Sequence, residues 1–451
     1  MKKKEVATKS FFITTFIFLL AIGSFLIPLS PAQPSDKPNL IFLTVDTLRA
    51  DRISSFGYKR RTSPSIDSLV RDGVKFSNAM TVIPLTNPSF TSVMTSRYPH
   101  ETGATRNGLP MNVNFPTLAQ ILKNYGYQTG AVISNWTLKS DICALSAGFD
   151  YYDEKFRTTR SLVLSEQDAE YVTDIALAWF DKINPQAPFF AWIHYSDPHA
   201  PYELRKQFNF PFKKGENKES PSYRYDTEVA YTDHHIGRLL RALESKGLMK
   251  NTYIFFFADH GESLGEHNYT GHGRQIYQPM MRVPLAIIGP GIKRGLVSDS
   301  PVSLLDVMPT ALSLLRIKPP SELKGRNILT EDGVPAQLQP VPLFFMTYRG
   351  AVPDVPGAKK VMPGIKPLKL GMKEGEMKLV YSPETDKREL YNLVDDPVEL
   401  YDLSLKHKEK TAVMTRLAWE WFHKTISPNA QKVRTISPDV RKKLESLGYV
   451  Y

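Results

Sequence analysis

Three apolar runs, each long enough for one buried strand and each ending in polar side chains, constrain the fold most. They cover residues 39–45, 188–194 and 252–258. Continuous runs rich in β-branched and aromatic residues are typical of parallel strands covered on both faces. Open α/β sheets bind ligands beyond the carboxyl ends of such strands. The pattern predicts an α/β fold with buried parallel strands and a site where the runs end.

The residues that follow these runs are the candidates for chemistry. Asp46 follows the first run, His199 lies shortly beyond the second, and Asp259 and His260 follow the third. Each residue alone is explained as well or better by a turn or a structural hydrogen bond. Three strand ends carrying such residues favour a shared site. Carboxylates and an imidazole side by side can hold one divalent cation.

A fourth element, residues 84–100, places a hydroxyl beside a predicted helix. Thr86 precedes Pro88, which suits a first helical turn because proline lacks the donor left unpaired there; we predict the helix over residues 90–95. A hydroxyl just ahead of a helix meets the positive end of the dipole and free backbone N–H groups. That position suits attack on an anionic ester. Taken alone, the stretch is better explained as a capped core helix.

Together these motifs resemble the sulfatase family of the alkaline phosphatase superfamily. The resemblance runs from residue 38 to about residue 403 and rests on four motifs: DTLRAD from Asp46, the P-S…R-Y-P-H frame ending at His100, DPHAPY from Asp197, and ADHGE-x-LGEH from Ala258. It implies an alkaline phosphatase-like α/β fold, a large mixed, mostly parallel sheet flanked by helices, with a small C-terminal antiparallel subdomain. It also implies metal-dependent cleavage of an anionic ester.

The resemblance also implies roles for individual residues. It implies a divalent cation held by Asp46, Thr86, Asp259 and His260. His199 and His272 are implied to contact the ester and assist the leaving oxygen, and Asn135 is implied to face the substrate, although a turn residue explains Asn135 equally well. We expect Mn²⁺, Zn²⁺, Mg²⁺ or Ca²⁺. A ligand set that includes a histidine suits Mn²⁺, Zn²⁺ or Mg²⁺ better than Ca²⁺, which prefers oxygen ligands only.

Position 86 departs from the family pattern. Sulfatases carry Cys or Ser there, oxidised to formylglycine, and an Arg where this chain has Phe90. The single cysteine, Cys143, lies far from the motif, so no formylglycine is expected. A threonine at this place resembles the nucleophile of phosphoethanolamine and glycerol-phosphate transferases in the same superfamily. Metal coordination would lower the pKa of its hydroxyl, which is otherwise a poor nucleophile.

The resulting hypothesis is a metal-dependent hydrolase of sulfate or phosphate esters with a covalent Thr86 intermediate. Phosphate or phosphonate chemistry is at least as well suited as sulfate hydrolysis, because a threonine ester cannot expel sulfate by elimination. Two alternatives stay open: a phosphoryl-group transferase at the membrane, and an inactive homologue that binds anionic glycans.

Charge and the N-terminal sequence bound the partners and location. The net charge of +11, without basic runs interleaved with aromatic residues, favours an anionic substrate and disfavours nucleic acid. The resemblance implies that this substrate is a sulfated or phosphorylated glycan or lipid. Residues 2–4 are lysines ahead of apolar residues 11–29, which predicts an export signal or an inner-membrane anchor. Either would place the bulk of the chain in the periplasm or outside the cell.

We expect three parts along the chain: a signal or anchor with its linker over residues 1–37, a catalytic α/β domain over 38–340, and a C-terminal subdomain with a closing helix over 341–451. Hydrophobic spacing predicts helices over residues 63–74, 117–125, 164–183, 225–247 and 411–426. In the C-terminal part it predicts strands over 343–348, 377–381 and 389–392, with a loop over 353–370.

Overall fold

The structure is a computed structural model that describes residues 37–111, 115–156, 166–348 and 366–426, together with Lys442. Its strands are β1 (Asn39–Val45), β2 (Val74–Phe76), β3 (Ala79–Met80), β4 (Gln128–Val132), β5 (Tyr151–Asp153), β6 (Phe189–Tyr195), β7 (Thr252–Phe257), β8 (Ser263–Leu264), β9 (Thr270–Gly271), β10 (Arg282–Val283), β11 (Leu285–Ile288), β12 (Leu296–Ser298), β13 (Val302–Ser303), β14 (Leu343–Thr347), β15 (Lys369–Glu374), β16 (Met377–Ser382) and β17 (Lys387–Asn392).

The helices are α1 (Pro64–Arg71), α2 (Thr86–Thr95), α3 (Pro99–Thr102), α4 (Leu118–Asn124), α5 (Ser140–Cys143), α6 (Ala169–Phe180), α7 (Pro221–Ser245), α8 (Gln278–Met281), α9 (Val307–Leu314) and α10 (Lys408–Thr425). Each helix predicted from spacing is present, with bounds shifted by a few residues. Helix α7 begins earlier than predicted because Pro221 occupies its first turn, where no N–H is needed. Among the described residues, no helix is long and apolar enough to cross a bilayer.

The three apolar runs form adjacent strands at the centre of an eight-stranded sheet of order β12-β2-β11-β7-β1-β6-β4-β5. Strand β1 pairs in parallel with β6 on one side and β7 on the other. Strand β11 runs antiparallel to both of its neighbours, so the sheet is mixed but mostly parallel. Parallel neighbours bring their carboxyl ends to one edge, and this sheet confirms the predicted fold class.

Aromatic side chains fill the centre of this sheet. The ring of Phe42 on β1 lies 5.3 Å from that of Phe190 and 5.4 Å from that of Phe257, both edge to face. Burying one such side chain contributes on the order of 1.5–3 kcal/mol. Helix α6 packs closely because β4 carries Gly130, where a Cβ would lie 2.4 Å from the indole of Trp179.

The C-terminal part forms a four-stranded antiparallel sheet, β14-β15-β16-β17, covered by α10. The loop predicted over residues 353–370 is wrong at its end, because Lys369 and Leu370 begin β15; residues 353–365 lie outside the described residues. The sequence of β15 includes a glycine and two lysines, which are uncommon in strands, so its pattern did not indicate a strand. Gly371 is required there, because a Cβ would lie 1.9 Å from the ring of Phe345 on β14. Residues 1–36, including the predicted signal or anchor, also lie outside the described residues.

Candidate active site

Three predicted ligands meet at the carboxyl end of the central strands. Asp46 follows β1, and Asp259 and His260 follow β7, its parallel neighbour. All three side chains are fully buried, and one ligand atom from each lies within 4.8 Å of the other two. His260 Nε2 is 3.3 Å from Asp259 Oδ2 and 3.9 Å from Asp46 Oδ1. We name Asp46, Asp259 and His260 the ion cluster.

Hydrogen bonds to the protein hold one oxygen of each carboxylate and leave the other turned into the cluster. Asp259 Oδ1 accepts the backbone N–H groups of Thr47 and His260, at 3.2 and 2.9 Å. Asp46 Oδ2 accepts a hydrogen bond from Asn135 Nδ2. Asp46 Oδ1 and Asp259 Oδ2 have no hydrogen-bond partner although both are buried. Such oxygens require a cation or a proton.

The pKa values of the two carboxyls express the same need. Burial raises the pKa of Asp46 to about 6, against an opposing contribution from His199. Burial, followed by repulsion from Asp46, raises the pKa of Asp259 well above its usual range. A divalent cation between the carboxylates would stabilise both charges. The donor set therefore fits such an ion.

The hydrogen bonds of His260 determine which nitrogen faces the cluster. Its Nδ1 lies 2.9 Å from the carbonyl oxygen of Gly261, which can only accept, so Nδ1 carries the proton. Burial holds the pKa of His260 well below its usual range, so the ring is neutral. The lone pair on Nε2 therefore faces the ion cluster and the hydroxyl of Thr86, whose Oγ1 is 3.4 Å away.

Thr86 is the first residue of α2, fully buried, rather than a residue ahead of the helix. The predicted start at residue 90 is wrong, because the helical turn already includes Thr86, Asn87 and Pro88. Pro88 has no N–H, and the backbone N–H of Asn87 donates to Asn107 Oδ1 at 3.0 Å. The first turn therefore offers fewer donors for an anion than the sequence predicted.

Phe90, at the position where the resemblance implies an Arg, packs against two rings of β6. Its ring centroid lies 4.9 Å from that of Trp192 and 4.8 Å from the imidazole of His194, edge to face in the second case. Burial, followed by repulsion from His199, lowers the pKa of His194 to about 3, so this imidazole is uncharged. An apolar ring beside a neutral histidine thus stands at this position.

Each of the two remaining predicted histidines contacts a buried glutamate. His199 Nδ1 lies 2.9 Å from Glu166 Oε1, and His272 Nδ1 lies 3.0 Å from Glu262 Oε1. Burial lowers the pKa of His199, but the charge and hydrogen bond of Glu166, followed by the charge of Asp46, outweigh it and raise the pKa to about 10. The ion pair with Glu166 therefore favours the imidazolium form of His199.

The imidazole rings connect these residues to the ion cluster. The ring centroids of His199 and His272 are 5.2 Å apart, and those of His272 and His260 are 4.5 Å apart. All seven predicted site residues thus lie in one region. The amide of Asn135 is engaged by protein groups, donating to Asp46 and accepting from the Thr137 backbone N–H at 2.8 Å. Its substrate contact and the catalytic roles of the others stay predictions.

Sequence reasoning missed the two glutamates. Glu262 lies within the DHGE motif, so its place next to the ligands was visible, but not its contact with His272. Glu166 has no motif and lies before α6, linked to Asn135 by an isolated antiparallel bridge. Only the tertiary structure brings it to His199.

Comparisons with known proteins agree with the fold and the motifs. The family model described as Sulfatase matches residues 38–317. The uncharacterized sulfatase YidJ of Escherichia coli (strain K12) is 25% identical over 424 residues, covering 80% of this chain and 84% of that protein. The N-acetylglucosamine-6-O-sulfatase of Bacteroides thetaiotaomicron is 23% identical, covering 82% and 83%.

Solved structures share the same architecture. One determined in complex with its substrate D-glucosamine-2-N,6-O-disulfate gives a TM-score of 0.71 at 21% identity, covering 88% of this chain and 100% of that one. The phosphonate monoester hydrolase of Agrobacterium radiobacter gives 0.68 at 19% identity, covering 92% and 97%. At these identities the likeness establishes the alkaline phosphatase-like fold.

Proposed function

This chain belongs to the sulfatase family of ester hydrolases, and on that premise we propose that it cleaves sulfate or phosphate esters with Thr86 as nucleophile. One observation carries the proposal: Thr86 Oγ1 lies 3.4 Å from His260 Nε2, at the edge of a cluster with two unpartnered carboxylate oxygens. A hydroxyl in that place is near the cation that the cluster fits. Among the described residues, no other hydroxyl group forms a hydrogen-bonding contact with a ring nitrogen of His260.

Asp46, Asp259 and His260 would hold the cation, with Thr86 beside them. When bound, a divalent ion neutralises anionic oxygens and lowers the pKa of a nearby hydroxyl. Two carboxylates and an imidazole suit Mn²⁺, Zn²⁺ or Mg²⁺ better than Ca²⁺.

In the first step, Thr86 Oγ1 gives up its proton to solvent and bonds to the sulfur or phosphorus atom. The bond from that atom to the bridging oxygen breaks, and its electron pair stays on the oxygen. This oxygen takes a proton from His199 Nε2, since His199 is held as an imidazolium. In the second step, water attacks the same atom and returns a proton to His199. Thr86 Oγ1 then leaves and is reprotonated by solvent.

The choice between sulfate and phosphate rests on Thr86. A threonine ester is released only by attack of water at sulfur or phosphorus. Because this release works at phosphorus as well as at sulfur, the proposed substrate class includes phosphate and phosphonate esters beside sulfate esters. One relative named above is an N-acetylglucosamine-6-O-sulfatase, and one structural neighbour is a phosphonate monoester hydrolase. We also propose that the substrate is an anionic ester of a glycan or lipid outside the cytoplasm.

The test is a panel of aryl sulfate, phosphate monoester, phosphate diester and phosphonate substrates with Mn²⁺, Zn²⁺, Mg²⁺ or Ca²⁺. Wild type is compared with Thr86→Ala and with Thr95→Ala, a threonine at the other end of the same helix whose hydroxyl bonds a backbone carbonyl. We expect turnover only with a cation, and a loss in Thr86→Ala on the order of 10³-fold or more. Intact mass spectrometry after rapid quenching should find the sulfuryl or phosphoryl group on Thr86.

Three results would contradict the proposal. Equal turnover by Thr86→Ala and Thr95→Ala would remove Thr86 as nucleophile. Product transfer to an added alcohol that outpaces hydrolysis would favour a phosphoryl-group transferase. Binding of sulfated glycans without turnover of any ester would identify an inactive, glycan-binding protein.

A further inference from the structure

Glu166 is a buried carboxylate without an assigned role. It is 2% exposed, and its backbone forms an antiparallel bridge with Asn135, the residue that hydrogen-bonds Asp46. The next residue, Gln167, donates its N–H to the carbonyl oxygen of Ser134 at 3.0 Å. The segment before α6 is therefore fixed to the loop after β4, and Glu166 is held at a defined distance from the ion cluster.

The side chain of Glu166 contacts one particular nitrogen of His199. The distance from Glu166 Oε1 to His199 Nδ1 is 2.9 Å. The contact is an ion pair, and the other ring nitrogen, Nε2, lies on the far side of the ring from Glu166. The His199 ring lies beside that of His272, which in turn adjoins His260 of the ion cluster. The ion pair thus favours the protonated ring and places Nδ1, rather than Nε2, beside Glu166.

We propose that Glu166 is a positioning residue that holds His199 as the proton donor to the leaving oxygen, so that its contribution to rate grows with the basicity of that oxygen. This inference rests on the proposed function. An alkoxide is far too basic to leave without a proton, whereas a nitrophenolate leaves readily as an anion. A donor held in the charged form contributes to rate only with the first kind of leaving group.

The transfer that Glu166 supports is balanced within the first step. As the bridging bond to sulfur or phosphorus breaks, its electron pair moves to the alcohol oxygen. The Nε2–H bond of His199 breaks and its proton goes to that oxygen, which departs as a neutral alcohol. The imidazole left behind is neutral and keeps its Nδ1–H on Glu166. Glu166 itself exchanges no proton and touches no reacting atom.

The second pair, His272 with Glu262, provides a matched comparison. Its Nδ1–Oε1 distance of 3.0 Å is almost the same, and Glu262 is also fully buried. Glu262 lies next to the ion cluster in sequence, whereas Glu166 belongs to a separate segment. Loss of Glu262 should weaken catalysis for all leaving groups alike. Loss of the charge at Glu166 should weaken it selectively.

The experiment measures kcat and KM for Glu166→Gln on a series of esters of one acid, from p-nitrophenyl through phenyl to alkyl. Glutamine keeps an oxygen that can accept from Nδ1–H but loses the charge. We expect kcat for the alkyl ester to fall about 10²-fold and that for the p-nitrophenyl ester less than about tenfold. Glu262→Gln should lower the whole series in parallel. Glu420→Gln, on the exposed face of α10, should match wild type.

A second measurement does not depend on turnover. Nitrogen-15 NMR of labelled histidines, with His199→Ala for assignment, reports which nitrogens carry protons. We expect the doubly protonated ring of His199 in wild type to become singly protonated in Glu166→Gln at pH 8. An unchanged spectrum, or an unchanged dependence on the leaving group in an active enzyme, would overturn the inference. A changed spectrum with no turnover of any ester would instead support the positioning and overturn the proposed function.

Discussion

Replacing Asp46 by Asn should stabilise the protein in chelator at pH 8 and abolish its stabilisation by divalent cations. Asp46 is fully buried, and its Oδ1 faces the ion cluster without a hydrogen-bond partner. Asparagine keeps an oxygen for the hydrogen bond from Asn135 and turns an N–H group toward Asp259. The substitution therefore replaces a repulsive pair of carboxylates with a neutral donor facing an acceptor.

The size of the effect follows from the pKa of Asp46, which is about 6 in the folded protein against an ordinary value of 3.8. Between these values the folded state binds a proton more tightly than the unfolded state, so stability falls as pH rises. Above pH 6 Asp46 is ionised in both states, and its burial then lowers the free energy of unfolding by roughly 3 kcal/mol. The Asn variant lacks this cost, so the difference should be present at pH 8 and vanish near pH 4.

The assay is urea unfolding from pH 4 to pH 8 in chelator, repeated with increasing Mn²⁺. A cation at 100 times its Kd should stabilise wild type by about 2.7 kcal/mol and leave Asp46→Asn unchanged. Asp141→Asn, an exposed aspartate with 61% of its side chain accessible, controls for the change of charge. The reasoning is refuted if Asp46→Asn is the less stable protein at pH 8 in chelator, or if Mn²⁺ stabilises both proteins equally.

Three further substitutions test the packing around the site. Lys378→Met removes the ion-pair partner of the fully buried Glu399 carboxylate, 2.6 Å away, so urea unfolding should find a loss of about 3–5 kcal/mol in stability. Adding Glu399→Gln should restore most of that stability, and no restoration would contradict the pairing. Gly261→Ala places a Cβ 2.0 Å from the carbonyl oxygen of Pro279, so calorimetry should find Mn²⁺ affinity reduced about 10–100-fold, and unchanged affinity would contradict it. Phe90→Ala should cost about 3–5 kcal/mol by urea unfolding; a loss below 1 kcal/mol would mean that the cavity collapses.

The arrangement of the site bears on our proposal that Thr86 is the nucleophile. The hydroxyl of Thr86 needs no chemical conversion if a cation beside His260 makes it acidic. Phe90 places an apolar ring beside His194, and the positive charge near the site is that of His199, which pairs with Glu166.

Local sequence predicted the sheet and the residues at its edge well. Asn39–Val45 and Thr252–Phe257 are apolar runs, and burying such runs on both faces leaves few alternatives to central parallel strands. Once these strands are neighbours, Asp46 and Asp259 must lie together. The start of α2 and the strand β15 were predicted less well, because their residues carry weak local signals and take their conformation from packing.

The sequence by itself determined which side chains reach one edge of the sheet, because parallel strands carry their carboxyl ends, and whatever follows them, to the same place. Only the tertiary structure decided which atoms face each other. The contact of Glu166 with His199 Nδ1, the single oxygens of Asp46 and Asp259 left to the cluster, and the Nε2 of His260 that faces Thr86 all depend on hydrogen bonds between segments far apart in the chain. Such bonds follow no sequence period, so no pattern along the chain encodes them.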